Sequence, residues 1–286
     1  MVPSPVAVCR LLSRHTVCMS GSGLQDVVLV RHGQSEGNLL VKSAYGSNPD
    51  LYNQLVDMPD NRVRLTPAGV TQAQLVGAWL RQEFPYGFAR HVVSPYVRAV
   101  ETAGHLGLED ASWRISRTVR ERDKGDVQHM PEHAFLSSDA HRDSARTYVA
   151  NPVYWRAPGG EAMADVAQNR VSRLLDDLSG PPMSRPVLVV THGRFMQAFQ
   201  AVVEGLDDEQ FRELFLAGEL PNGSVLHYTC QDPFTGEVSE QYSWSRVCTP
   251  GGSDDAGFGQ WRQVNQPVYT SSGLLDMAAK SPRLLT

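Results

Sequence analysis

Three short apolar runs, each ending on polar residues and each followed by a helical pattern, constrain this chain more than any other feature. Residues 27–30 (VVLV) lead into Arg31-His32-Gly33, residues 91–93 (HVV) into Ser94, and residues 186–190 (PVLVV) into Thr191-His192-Gly193. Short β-branched runs without alternation fit strands buried on both faces, as in a parallel sheet covered by helices. Strands alternating with helical segments define the α/β class. The expected fold is therefore a three-layer αβα sandwich, with a mostly parallel central sheet and helices on both faces.

The helices are marked by caps and spacing. Thr66-Pro67 offers an N-cap followed by proline at the first helical position, and Val70, Ala73, Val76, Gly77 and Leu80 follow at helical intervals. Ser94-Pro95 repeats that start signal before Val97, Val100 and Ala103. After Gly159-Gly160, a stripe of Met163, Val166, Ala167, Val171, Leu174, Leu175 and Leu178 predicts a helix packed on the sheet. A last helix pair is expected over 194–203 and 208–216. Two strands are expected over 225–229 and 238–244, joined through Pro233-Phe234-Thr235-Gly236.

Residues 1–25 read as a disordered extension. Arg10 and Arg14 with no acid before Asp26 also fit a targeting segment. A single domain is expected over 26–248, with a helical lid insertion around 124–157. Residues 249–286 read as an irregular tail, with Trp261 as a docking point.

The 286 residues suffice for one large core or two modest ones. A net charge of −5 provides no general basic field, so neither nucleic acid nor an anionic membrane is an expected partner. No apolar run reaches the roughly 20 residues needed to cross a bilayer. Cys9, Cys18, Cys230 and Cys248 form no Cys-x-x-Cys pair, which suits a reducing compartment, and a cytoplasmic location is expected.

In open α/β sheets, ligands sit at the carboxyl ends of the strands. Arg31, His32, Ser94, Arg98 and His192 should therefore meet in one place. A phosphoryl group needs such a set, because its transfer is mostly positioning and electrostatic stabilisation. Arginine forks match phosphate oxygens in pairs, and a neutral imidazole nitrogen can attack phosphorus. Gly33 and Gly193 let backbone approach a ligand closely. Either histidine alone fits a structural role, but two of them, each followed by glycine and the first preceded by Arg31, favour chemistry.

The stretch Arg31-His32-Gly33-Gln34-Ser35-Glu36-Gly37-Asn38 resembles the signature of the histidine phosphatase superfamily. That is the branch which includes cofactor-dependent phosphoglycerate mutase and fructose-2,6-bisphosphatase. The resemblance continues through Leu65-Thr66-Pro67-Ala68-Gly69, residues 94–103 (SPYVRAVETA), residues 120–125 (RERDKG), Pro158-Gly159-Gly160-Glu161 and Thr191-His192-Gly193. It implies His32 as nucleophile and Arg31, Arg98, His192 and Asn38 as the phosphate pocket. Glu121 matches the proton donor, with Asp123 as its rival two residues on, and no cofactor or metal is implied.

Departures from the mutase pattern favour a phosphatase-type member. A long polar segment separates Asn38 from Leu65, and Asp123-Lys124-Gly125-Asp126 replaces the mutase-like Tyr-Gly after the glutamate. The expected partner is a small phosphorylated substrate, or a phosphoprotein; oligomeric state is open. A mutase-type phosphotransferase, a non-catalytic scaffold of the same fold and a metal-dependent hydrolase are the alternatives. Lys124, His129, His133, His141, Arg142, Arg146 and Arg156 in the lid are candidates for holding a second anionic group, or form a solvated face of mixed charge. Asn222 fits either a site residue or a plain turn, and Gln34 and Ser35 an entrance or a turn. Glu161 is expected at the N-terminus of its own helix, and Ala162 leaves that helix without the usual Ser cap.

Overall fold

The computed structural model describes residues 23–24, 26–43, 47–180, 185–251 and 259–279; the expected extension lies outside them apart from its last strand residues. The strands are β1 (Gly23–Leu24), β2 (Val27–Arg31), β3 (Arg90–Val93), β4 (Trp113–Ile115), β5 (Ser179–Gly180), β6 (Val187–Thr191), β7 (Val225–Thr229), β8 (Trp244–Cys248) and β9 (Arg262–Gln263). Seven of them build one sheet in the order β4-β3-β6-β2-β7-β8-β9, while β1 pairs separately with β5.

Alternation along the central strands sorts side chains into two cores. Val27, Leu29, Val187 and Val189 face one side, against Met163, Val171, Phe195 and Phe199. Val28, Val30, Leu188 and Val190 face the other, against Val76, Leu80, Ala99 and Ala103. Helices α3 (Pro67–Glu83) and α4 (Val97–His105) cover the second face. The first face is covered by α7 (Met163–Asp165) and α8 (Ser172–Leu178), joined by a wide π turn at Val166–Val171, and by α9 (Gly193–Val203) with α10 (Asp208–Leu216) behind it. The fold is a three-layer α/β sandwich.

The sheet is mixed rather than mostly parallel. Strands β4, β3, β6 and β2 run parallel, whereas β7, β8 and β9 add antiparallel pairings. The reason is the approach to β7: Gly223 donates to the His32 carbonyl at 3.3 Å, so the chain re-enters the sheet from the end that carries His32. A strand starting there must oppose β2.

Other expectations need correction. The strand expected over 238–244 is β8, because Ser239 bonds to the Cys230 and Gln241 carbonyls and keeps that stretch out of the ladder beyond one bridge to Gln231. The tail contributes β9 and helix α11 (Ser271–Ala279), and Trp261 packs at 4.4 Å on the Arg246 guanidinium and 5.0 Å from the His227 ring. Helices α1 (Glu36–Ser43) and α2 (Pro49–Val56) occupy most of the polar segment. The insertion after Lys124 carries α5 (Glu132–Ser137) and α6 (Arg142–Ala150). No helix among the described residues is long and apolar enough to cross a membrane.

Candidate active site

The loop after β2 is clamped before it reaches the ligand side. Thr66 caps α3 by accepting from Gly69 N at 3.1 Å, as the sequence predicts, and Thr66 N donates to the Gln34 carbonyl at 2.9 Å. Gly33 and Gly69 permit this approach. A Cβ on Gly33 would lie 2.3 Å from the Gly69 oxygen, and one on Gly69 would lie 2.1 Å from the Gln34 oxygen.

Within that clamp His32 is 2% exposed. Its Nδ1 lies 2.7 Å from the Gly33 carbonyl, which can only accept. Its Nε2 lies 3.3 Å from Nε of Arg98, which can only donate. Both contacts fix one tautomer: the proton is on Nδ1 and the lone pair on Nε2. Burial first, then Arg98 and Arg31, holds the imidazole well below its ordinary pKa, so it is neutral at physiological pH.

His192 follows β6 and stands edge-on to His32, with ring centroids 5.1 Å apart. Its Nε2 meets Ser94 Oγ at 2.7 Å, and its Nδ1 is buried without a partner among the described residues. Burial, then Arg98, His32 and Arg31, lowers its pKa as well. Ser94 is therefore drawn to His192 instead of capping α4, whose N-cap residue Tyr96 makes no side-chain cap bond.

Both arginines are oriented by carboxylates. Arg98 donates through Nη1 and Nη2 to Asp60 at 3.2 and 3.1 Å. Arg31 pairs with Glu219 and donates to the Leu220 carbonyl. Their Nε edges are left over: that of Arg98 faces His32, and that of Arg31 is buried without a partner among the described residues. Asp60 and Glu219 are site residues that the sequence did not point to.

Asn38 lies on α1, with Oδ1 accepting from Ser35 N at 3.1 Å and from Asn222 Nδ2 at 3.1 Å. Asn222 Nδ2 also reaches the His32 carbonyl at 3.1 Å, so it does more than form a turn. Ser35 is buried in these bonds rather than placed at an entrance.

Glu121 is 9% exposed and accepts from Arg122 N at 2.7 Å. Burial and then the charge of Glu219 push its pKa up, against the opposing pull of Arg98 and Arg31. Asp123, its rival, is spent on the turn, accepting from Gly125 N at 2.9 Å. That turn needs glycine: Gly125 has φ of 51°, and a Cβ there would lie 2.0 Å from the Pro158 oxygen.

Glu161 does not serve its own helix terminus. It bridges Arg120 at 2.8 Å and Arg170 at 3.0 Å, and accepts from Asp123 N at 3.1 Å, holding the Glu121 segment from behind. Asp165 takes the terminus instead, accepting from Ala162 N at 2.7 Å. Of the cations in the insertion, Arg142, Arg146 and Arg156 are largely exposed and paired with Asp139, Asp143 and Asp165. They form the solvated face of mixed charge. Lys124 and His129 instead share the electrostatic environment of Arg98, Glu219 and Asp60.

An α/β sandwich with two neutral, buried histidines at the carboxyl ends of adjacent parallel strands, faced by two arginines, has the architecture of the histidine phosphatases. The family model of the histidine phosphatase superfamily (branch 1) matches residues 27–235, and the chain belongs to that superfamily. A 2,3-bisphosphoglycerate-dependent phosphoglycerate mutase of Methylobacterium radiotolerans is 30% identical, over 68% of this chain and 86% of its own length. A phosphoglycerate mutase-like protein of Arabidopsis thaliana is 29% identical, over 75% of this chain and 72% of its own. Among solved structures, a mycobacterial hydrolase superposes with a TM-score of 0.55 at 28% identity, covering 71% of this chain and 91% of its own. Mycobacterial glucosyl-3-phosphoglycerate phosphatase in complex with inorganic phosphate gives 0.54 at 26% identity, covering 72% and 89%.

Proposed function

We propose that the chain is a phosphoric monoester hydrolase working through a phosphohistidine on His32. The observation that carries this reading is the fixed tautomer of His32, whose Nε2 lone pair faces Arg98 while Gly33 holds Nδ1–H. In the first step Nε2 attacks phosphorus, the N–P bond forms and the bond to the leaving oxygen breaks. Glu121, whose carboxyl pKa is raised by its burial, gives its proton to that oxygen. In the second step water attacks phosphorus, Glu121 takes the water's proton, and the N–P bond breaks to release phosphate and neutral His32.

Arg31 and Arg98 stabilise the phosphoryl oxygens through the Nε that their carboxylate partners leave unused, and His192 through the Nδ1 that its bond to Ser94 leaves unused. Asn38, with its Oδ1 committed to Ser35 and Asn222, offers its Nδ2 end to the same group. The absence of the mutase Tyr-Gly pair after Glu121 supports transfer to water. The identity to a phosphoglycerate mutase supports the second reading, transfer back to a bound phosphoglycerate.

Hydrolysis of p-nitrophenyl phosphate by wild type and not by His32→Ala, with an acid-labile phosphoenzyme trapped in wild type, is the expected result. Interconversion of 2- and 3-phosphoglycerate without phosphate release would favour the mutase. Identical traces for wild type and His32→Ala would sink the catalytic claim for His32.

A further inference from the structure

The helix layer over the first face of the sheet stops short of the edge strand. β4 pairs in register with β3, so Arg114 stands beside Val92 on the face that α8 covers. A strand position packed under a helix is apolar as a rule, but this one is an exposed arginine. Between β4 and α8 lies a cavity of about 460 Å³, a size that small ligands fill. None of Arg31, His32, Arg98, Glu121 and His192 lines it, so it is separate from the catalytic pocket.

The lining has an apolar part and a charged part. Val92, Leu174 and Leu178 form the apolar wall, with the two leucines only 3% and 1% exposed. Arg90, Arg114 and Arg185 bring three guanidinium groups to the same space. Arg90 Nη2 donates to the Asp177 carbonyl at 2.8 Å, and Arg185 Nη1 donates to the Tyr86 carbonyl at 3.1 Å. Both of those acceptors are neutral. Arg114 and Arg185 take part in no ion pair among the described residues.

Charge in the cavity does not balance. Three guanidinium groups stand against two carboxylates, those of Asp110 and Asp177, an excess of one positive charge. His91 also borders the space and adds none at neutral pH, because burial and then Arg185 lower its pKa. One further anion would neutralise the set, which suits a carboxylate better than a phosphate dianion. A guanidinium that no acid holds can grip such a group with two parallel bonds. The apolar wall would take the rest of the ligand out of water.

We propose that this cavity is a second ligand site, for a small amphipathic anion whose carboxylate meets Arg114 and Arg185 and whose apolar body lies on Val92, Leu174 and Leu178. Nothing in it depends on the chemistry of His32.

Calorimetric titration of the full chain with 4-phenylbutyrate, 4-phenylbutyramide and 4-phenylbutylammonium separates charge from shape, since the three differ at one end alone. The carboxylate should bind about tenfold or more tighter than either analogue. Acetate, which has the charge without the apolar body, should bind about tenfold or more weakly than 4-phenylbutyrate. Arg114→Glu and Arg185→Glu, both at exposed positions, should each weaken 4-phenylbutyrate about tenfold, and a loss in either places the anion in this cavity. Hydrolysis of p-nitrophenyl phosphate by both variants should stay within about twofold of wild type.

Equal affinity for the three ligands, tighter binding of the ammonium, or no binding of the carboxylate overturns the site. So does an affinity for 4-phenylbutyrate that survives in both variants, which would put the ligand in the His32 pocket or elsewhere. Acetate binding as tightly as 4-phenylbutyrate overturns the role of the apolar wall.

Discussion

Replacing Gly33 by alanine measures how much of the chemistry depends on the clamp behind His32. The new Cβ would lie 2.3 Å from the Gly69 oxygen and 2.9 Å from its carbonyl carbon, where ordinary contact begins at 3.4 Å. The loop and the first turn of α3 must separate by about 1.1 Å to restore that contact. Neither side yields freely. Gly33 N is tied to Thr102 Oγ1 at 3.0 Å, Gln34 N to Gln72 Oε1 at 2.7 Å, and the Gln34 carbonyl to Thr66 N at 2.9 Å. Overpacking of this kind costs about 1–3 kcal/mol. For a chain of this size that is a fall in Tm of roughly 2–6 °C.

The catalytic effect should be larger, because the Gly33 carbonyl orients the His32 ring. Misplacing a reacting group by about 1 Å costs on the order of 10²-fold in rate. The assays are scanning calorimetry and kcat/KM for p-nitrophenyl phosphate. Gly104→Ala is the control: Gly104 is exposed on α4 with nothing within 4 Å of its Cβ position. It should gain about 0.4–1 kcal/mol and keep its activity. A Gly33→Ala protein with unchanged Tm and activity within twofold of wild type would refute the account of the clamp.

Glu121→Gln should lower kcat/KM by about 10²–10⁴-fold for an alkyl phosphate, and by much less for p-nitrophenyl phosphate, whose leaving group needs little protonation. Equal losses on both substrates would remove Glu121 as proton donor. As general acid Glu121 must be protonated, so kcat/KM should fall as pH rises through its raised pKa, while the depressed pKa of His32 keeps the acid limb low. Glu219→Gln removes a charge that raises Glu121, so the alkaline limb should move to lower pH. A limb that stays in place or moves up contradicts the coupling. Asn222→Ala should cut kcat/KM about tenfold and destabilise by about 1–3 kcal/mol, because it strips bonds from the His32 carbonyl and from Asn38 Oδ1. Chemical denaturation alongside kinetics checks both numbers.

What the sequence revealed depended on whether a residue's role had a local signature. The runs that became β2, β3 and β6, the Thr66-Pro67 start and the stripe from Met163 to Leu178 all carry a period or a cap, and the structure shows them within a residue or two. Helix α1 has no buried residue and α2 only Leu55, so neither has an apolar stripe to read. β4 is a three-residue edge strand, too short for a pattern. Asp60 and Glu219 were invisible for another reason: their partners Arg98 and Arg31 lie 38 and 188 positions away, and no spacing encodes such pairings. Charge alone also failed to sort the insertion. Arg142 and Arg146 look like Lys124 in the sequence, but they sit on the solvent side of α6 with acids three residues before them.

The buried Glu121 and the half-buried Glu219 show how one pocket can favour a proton beside several cations. Glu219 and Glu121 both suffer burial, which by itself raises a carboxyl pKa. At Glu219 the penalty is outweighed by Arg31, Arg194, Lys124 and Arg98, and its pKa falls to about 2. At Glu121 the same arginines act more weakly, and Glu219, once ionised, adds a like charge that reinforces burial. Glu219 therefore takes the charge that keeps Arg31 aligned, and that charge in turn biases Glu121 towards its protonated form. The division of roles is set by which carboxylate sits nearer the cations, a pattern by which one environment can maintain an acid and a permanent anion at the same pH.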